Sequence, residues 1–237
     1  MNIVDWIIIA VVGLCVLFGF YRGFIQSMLN LGGCLLSFAG SFLLFPRMAD
    51  VISSNAEITR AISSYTDSTF LLGNLDLSSQ TVSNLSSQAI AQIIQQANLP
   101  KPIDTILAYN LEGQVFQPMG NLAINVGDYI NQTILSVSIN VLSFLVCFAA
   151  CFLIITVLVN MLRAVFHYPV LKQLDGLAGG IFGFLLGISL CFVVFTLVPL
   201  LESVLPIPGL REMLGESSLS KLFENGNLII SIMNRKL

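Results

Sequence analysis

Long stretches without a charged residue alternate with short polar turns along this chain. The first runs from Trp6 to Tyr21, between Asp5 and Arg22, and reaches further back through Ile3 and Val4. The second runs from Phe24 to Pro46, the third from Tyr129 to Leu162 with its apolar body starting near Ile134, and the fourth from Gly176 to Leu201. A helix needs about 20 largely apolar residues to cross a hydrocarbon core of about 30 Å. The pattern therefore predicts four transmembrane helices, over 3–21, 24–45, 134–162 and 177–201. No basic residue precedes the first apolar stretch, Asp5 stands where one would be expected, and no Ala-x-Ala site follows, so this segment reads as a retained helix rather than a cleaved leader.

Only Tyr21, Arg22 and Gly23 separate the first two helices, which predicts a tight hairpin. Residues 163–175 join the other two into a second hairpin. The expected fold is all-α: a polytopic membrane protein with four transmembrane helices in two hairpins and an amphipathic-helical insert outside the membrane. Its segments are 1–45 (hairpin one), 46–133 (polar insert), 134–201 (hairpin two) and 202–237 (amphipathic tail). In the insert, apolar residues return at helical spacing in Leu85, Ala89, Ile90, Ile93, Ile94 and Ala97. They return again in Val115, Phe116, Met119, Leu122, Ala123, Val126 and Ile130, with Pro100 and Pro102 between the two patterns. The tail opens on a Pro-Ile-Pro-Gly break at 206–209 and carries a weaker pattern through Met213, Leu214, Leu222, Phe223, Ile229 and Ile232.

Composition sharpens the picture. Hydrophobic residues are 56% of the chain and charged residues 10%, against about a quarter charged in an ordinary globular domain. That leaves too few charges for a water-facing shell, so the bilayer is the solvent. With 10 basic and 13 acidic residues, there is no basic stripe to neutralise phosphates, which excludes nucleic acid as a partner. All five cysteines (Cys15, Cys34, Cys147, Cys151 and Cys191) lie in apolar runs, and neither a disulfide framework nor a metal-binding spacing is present. The short turns hold Arg22, Arg163, His167 and Lys172, which places them in the cytoplasm by the positive-inside tendency. Both termini and residues 46–133 then lie outside.

Small and polar residues line one face of the helices. Helix two carries Gly23, Ser27, Asn30, Cys34, Ser37 and Ser41, and helix three Ser136, Asn140, Ser143, Cys147 and Cys151. Helix four has Gly179, Gly183 and Gly187 at successive fours, and Gly19 and Gly23 repeat that spacing at the end of helix one. Such spacing lets helix backbones approach closely in lipid. It suits a compact bundle; it equally suits a polar path for a solute, lined by Gln26, Asn30, Asn140 and Asn160. No Asp, Glu, Lys or Arg lies near the middle of a helix, where ion-coupled transporters commonly place one. Asp5 and Asp175 open helices one and four, where a carboxylate suits the dipole, and an ion pair between Arg22 and Asp175 would join the hairpins. No HExxH, P-loop or His/Asp/Ser set is present, so no catalytic, cofactor-binding or metal-ligating residues are assigned.

Taken together, Asp5, Gly19, Arg22, Gly23 and Phe24, followed by Leu174–Asp175 and the glycines at 179, 183 and 187, resemble the bacterial colicin V production (CvpA) family. The family often has a basic residue directly after that Asp, where this chain has Gly176, and another in the glycine repeat, where it has Leu186. The resemblance covers the four helices. It implies a multi-pass inner-membrane protein linked to production or export of a peptide toxin and to envelope homeostasis, with no catalytic residues to carry over. Two function classes follow: a non-enzymatic scaffold or accessory protein with the bilayer, further copies or other envelope proteins as partners, and an oligomeric small-solute channel or transporter.

Overall fold

The computed structural model describes residues 2–64, 79, 81–82, 85–100, 103–113, 125–165, 172–199 and 210–224. The helices are α1 (Ile3–Arg22), α2 (Phe24–Ser54), α3 (Ala56–Ser63), α4 (Ser87–Ala97), α5 (Ile103–Gly113), α6 (Val126–Val165), α7 (Lys172–Phe195), α8 (Leu210–Glu216) and α9 (Ser220–Glu224). Four of them, α1, α2, α6 and α7, are long and apolar enough to cross a membrane. The protein is an all-α polytopic membrane protein.

Two of these helices outrun their apolar stretches. α2 continues through Pro46 and Arg47 to Ser54, and α6 begins at Val126 rather than near Ile134. At 40 residues, α6 is about 60 Å long at 1.5 Å per residue, twice the hydrocarbon thickness. Polarity marks where the bilayer ends; backbone hydrogen bonding is free to continue past it. α7 is displaced in the other direction. It starts at Lys172 and ends at Phe195, although the uncharged run reaches Leu201.

The chain divides into two compact units. The first comprises Met1–Met48, Leu142–Phe195 and Arg211–Gly226. Here α2 and α6 run antiparallel, packed by aromatic rings and glycine gaps. Phe38 lies 5.0 Å from Phe148 and Phe42 5.1 Å from Phe144, centroid to centroid. Gly33 sits against Ile155 and Gly40 against Cys151. Cys34, Ser37 and Ser41 are buried, and the two hydroxyls donate to the carbonyls of Gly33 (2.7 Å) and Ser37 (2.5 Å). In-helix bonding of this kind satisfies a polar group where no water can reach it. Leu14, Leu17, Leu36, Leu43, Leu153 and Ile181 are exposed, the apolar outer surface that a lipid-embedded bundle requires.

The second unit, Ala49–Val141 with Thr196–Leu210 and Asn227–Leu237, has an ordinary apolar core. Ile93, Ile103, Leu107, Leu111, Val126, Tyr129, Ile130 and Ile134 are buried, drawn from α4, α5 and the start of α6. Inside it, the Asn110 amide donates to the Thr133 hydroxyl at 3.0 Å. α4 coincides with the first amphipathic pattern and is capped by Ser86, whose hydroxyl accepts from the Ala89 N–H at 3.2 Å. The second pattern is distributed differently: Val126 and Ile130 belong to α6, and Val115–Ala123 lies outside the described residues. α5 occupies Ile103–Gly113, a stretch without an assigned element in the sequence reading.

Candidate functional site

Gly19, Gly23, Asp175 and the glycines at 179, 183 and 187 meet in one contact, where α1 and α7 cross. Both helices place a residue without a side chain at the interface, and they run antiparallel. A methyl group added at Gly19 would collide with the Gly179 carbonyl and reach 3.0 Å from the Gly183 Cα. One at Gly183 would strike the carbonyl of Cys15, and one at Gly187 would come within 3.0 Å of the Val12 Cα. These are backbone-to-backbone contacts, so no rotamer change can relieve them. The aromatic ring of Phe20 fills the adjoining groove over Gly176 and Gly180, where an added Cβ would stand 3.3 Å and 2.8 Å from its Cδ atoms. Gly176 and Gly180 fall outside the strict four-residue repeat, although Phe20 facing two glycines one turn apart is a readable signal.

At one end the crossing is pinned by Asp175. Its carboxylate lies in the first turn of α7, yet it accepts from the backbone N–H of Phe24, the first residue of α2, at 2.7 Å. The N-terminal N–H groups of a helix lack intrahelical partners, and here a side chain from another helix supplies one. Gly23 makes the turn possible. Its φ is +85°, its N–H donates to the Gly19 carbonyl at 3.0 Å, and a Cβ at that position would overlap the Asp175 carboxylate. The partner of Asp175 is thus a backbone amide. Arg22 forms no ion pair with it; the guanidinium lies 5.7 Å from the ring centroid of Phe18 instead.

At the other end the anchor is Asp5. It completes a capping box with Asn2, accepting from the Asn2 N–H at 2.9 Å while the Asn2 side chain accepts from Ile3. Its second oxygen is used by the turn between α8 and α9: the Ser217 hydroxyl donates to it at 2.5 Å and the Leu219 N–H at 3.2 Å. Asp5 is only 3% exposed. Three further contacts seat α8 and α9. The Asn2 amide donates to the Met213 carbonyl at 2.7 Å, the Ser220 hydroxyl donates to the Leu214 carbonyl at 2.7 Å, and Phe223 packs on Phe192 and Phe195 at 4.9 and 5.1 Å. Asp5 therefore does more than open a helix. It ties residues 213–223 to the start of α1, beside the end of α7.

The four amides expected along a polar path are dispersed. Asn30 is half-buried and lines two cavities in the first unit; Gln26 is half-buried and lines neither. Asn160 is exposed, and Asn140 is buried within the second unit. Among the described residues no group of three or more His, Cys, Asp or Glu side chains is placed to hold a metal ion. His167 lies outside the described residues.

Fold and crossing together define a class: a multi-pass membrane protein whose first and last spanning helices are bound face to face through glycine. The family model described as "Colicin V production protein" matches residues 4–95 and 104–227, and the chain belongs to that family. It is 30% identical over 98 residues to "Uncharacterized transmembrane protein YshB" of Bacillus subtilis (strain 168), a match spanning 41% of this chain and 53% of that protein. The aligned stretch thus covers about half of that relative. No solved structure matches.

Proposed function

We propose that this chain is a non-enzymatic accessory or scaffold protein of the bacterial cytoplasmic membrane. In this role it supports production or export of a colicin V-like peptide toxin and the upkeep of the envelope. The observation that carries the reading is the α1–α7 crossing. Its glycines bring two backbones into direct contact at successive turns, which suits a rigid support better than a path opening between them. The description of the family adds the link to toxin production. Its partners in this reading are the bilayer, further copies of the chain or other envelope proteins, with both termini and residues 46–133 outside.

The test compares wild type with Gly183→Leu in two assays. In cells lacking the chromosomal copy, wild type should restore toxin release and resistance to envelope stress, and Gly183→Leu should not. In proteoliposomes neither protein should raise the permeability to small solutes. Solute flux that requires the wild-type protein and is lost in Gly183→Leu would replace the scaffold with the channel or transporter reading.

A further inference from the structure

Two cavities in the first unit share a wall made of Arg22, Asn30 and Leu186. One, of about 150 Å³, lies against the α1–α7 crossing and adds Cys15, Phe18, Gly19, Ser27 and Gly183; the other, of about 210 Å³, adds Phe152 and Val159. Each exceeds the roughly 30 Å³ that a water molecule occupies in the liquid, and the second is walled mainly by aliphatic and aromatic side chains, Leu29, Phe152, Ile155 and Val159 beside Leu186. Methylene groups suit such walls better.

The charged residue of the shared wall is Arg22. Arg22 closes α1, where the apolar run ends. Among the described residues its contact is the Phe18 ring, and no carboxylate pairs with it. The neighbouring acid, Asp175, is engaged by the Phe24 N–H and lines neither cavity. A guanidinium presents paired N–H donors that match two phosphate oxygens, and basic pockets between transmembrane helices hold acidic lipid headgroups. We propose that this crevice is a binding site for an acidic phospholipid, with the phosphate on Arg22 and an acyl chain lying along Phe152 and Val159. The inference does not depend on the scaffold reading: a channel could hold the same lipid.

The experiment is native mass spectrometry of the full chain in a neutral detergent, titrated with phosphatidylglycerol and with phosphatidylcholine of the same chain length. Wild type should form a single phosphatidylglycerol adduct at about tenfold lower lipid concentration than the phosphatidylcholine adduct, a difference of about 1.4 kcal/mol. Arg22→Gln should abolish that preference, and Arg22→Lys should retain part of it. Asn30→Leu, which leaves every charge in place, should weaken the adduct. Arg47→Gln, removing an exposed cation elsewhere on α2, should change nothing. Persistence of the adduct in tens of millimolar inorganic phosphate supports a lipid site, whereas displacement by phosphate would reassign it to a free anion and overturn the proposal. So would equal binding of the two lipids by wild type, or an equal loss in Arg47→Gln and Arg22→Gln. If Arg22→Gln fails to fold, the Lys and Asn30→Leu variants decide the question.

Discussion

One substitution made at two positions separates close helix packing from helix propensity. Gly183 and Gly32 both lie inside membrane-spanning helices. A methyl at Gly183 meets the backbone of Cys15, and one at Gly32 meets nothing within 4 Å. Gly→Ala in a helix interior favours the helix by roughly 0.5–1 kcal/mol where space allows. Forcing one extra carbon into a closed contact costs about 1–3 kcal/mol, and the larger value applies at Gly183 because the obstruction is main chain. A change of 1 kcal/mol moves the Tm of a chain this long by about 2–4 °C. Gly183→Ala should therefore unfold about 4–8 °C below wild type, while Gly32→Ala unfolds at or slightly above it. Gly187→Ala should fall between them, since its new methyl would lie 3.0 Å from the Val12 Cα and 3.2 Å from the Cys15 Cβ. Thermal unfolding in detergent, followed by circular dichroism and by gel filtration of heated samples, measures the order. Equal Tm values for Gly183→Ala and Gly32→Ala would mean that α1 and α7 are not in backbone contact, and the account of the crossing would fail.

Removing the Asp5 carboxylate should release the C-terminal helices. Asp5→Ala should speed proteolysis within 210–224 several-fold while α1 stays inserted, and Ser217→Ala should produce a smaller effect; unchanged digestion in both would refute the docking. At the opposite end, Asp175→Ala should cost about 1.5–3 kcal/mol of stability, the range for a hydrogen bond to a charged group, and so lower Tm by roughly 3–12 °C, whereas Asp175→Asn keeps an acceptor and should lose less. The swap Arg22→Asp with Asp175→Arg should not rescue the single variants, because an arginine at 175 cannot accept from the Phe24 N–H; full rescue would restore an ion pair to the account. For orientation, single cysteines at Ser78 and Lys172 in a cysteine-free background should react with an impermeant thiol reagent on intact cells at 78 and not at 172, and the reverse result would invert the topology.

The spanning helices were legible because twenty-residue apolar runs have few competing explanations. The glycine repeat at 179, 183 and 187 was legible for a similar reason: its spacing matches a helix face. Which helix it touches was not, because Gly19 and Gly23, like the small-residue stripe of Ser27, Asn30, Cys34, Ser37 and Ser41, offer an equally close face and the sequence does not say which pairs meet. Asp175 could be read as opening a helix, but its partner is an amide proton in a different helix, and a backbone donor leaves no mark in residue type. The Ser217–Asp5 bond was hidden for a different reason, since its donor is a side-chain hydroxyl. Serines are common in the tail, and nothing local distinguishes this one. α5 does carry a signal, with Ile103, Leu107 and Leu111 at intervals of four. It was overlooked because the two prolines before it read as a break, although proline is also compatible with the start of a helix.

The bond between Ser217 and Asp5 spans 212 residues, and this separation has a consequence for biosynthesis. α1 leaves the ribosome well before α7, α8 and α9, with its glycine face uncovered and one carboxylate oxygen of Asp5 lacking its later donors. At about 5–20 residues per second, the helices that complete both contacts arrive roughly 10–40 s afterwards. During that interval the nascent hairpin of α1 and α2 presents the glycine face of α1 to lipid instead of to α7. Ribosomes that stall before α7 would leave a fragment displaying that face, the kind of orphan that membrane proteases remove. The closing bond then works as a completion mark: a chain that has formed it has been synthesised through both ends of the bundle.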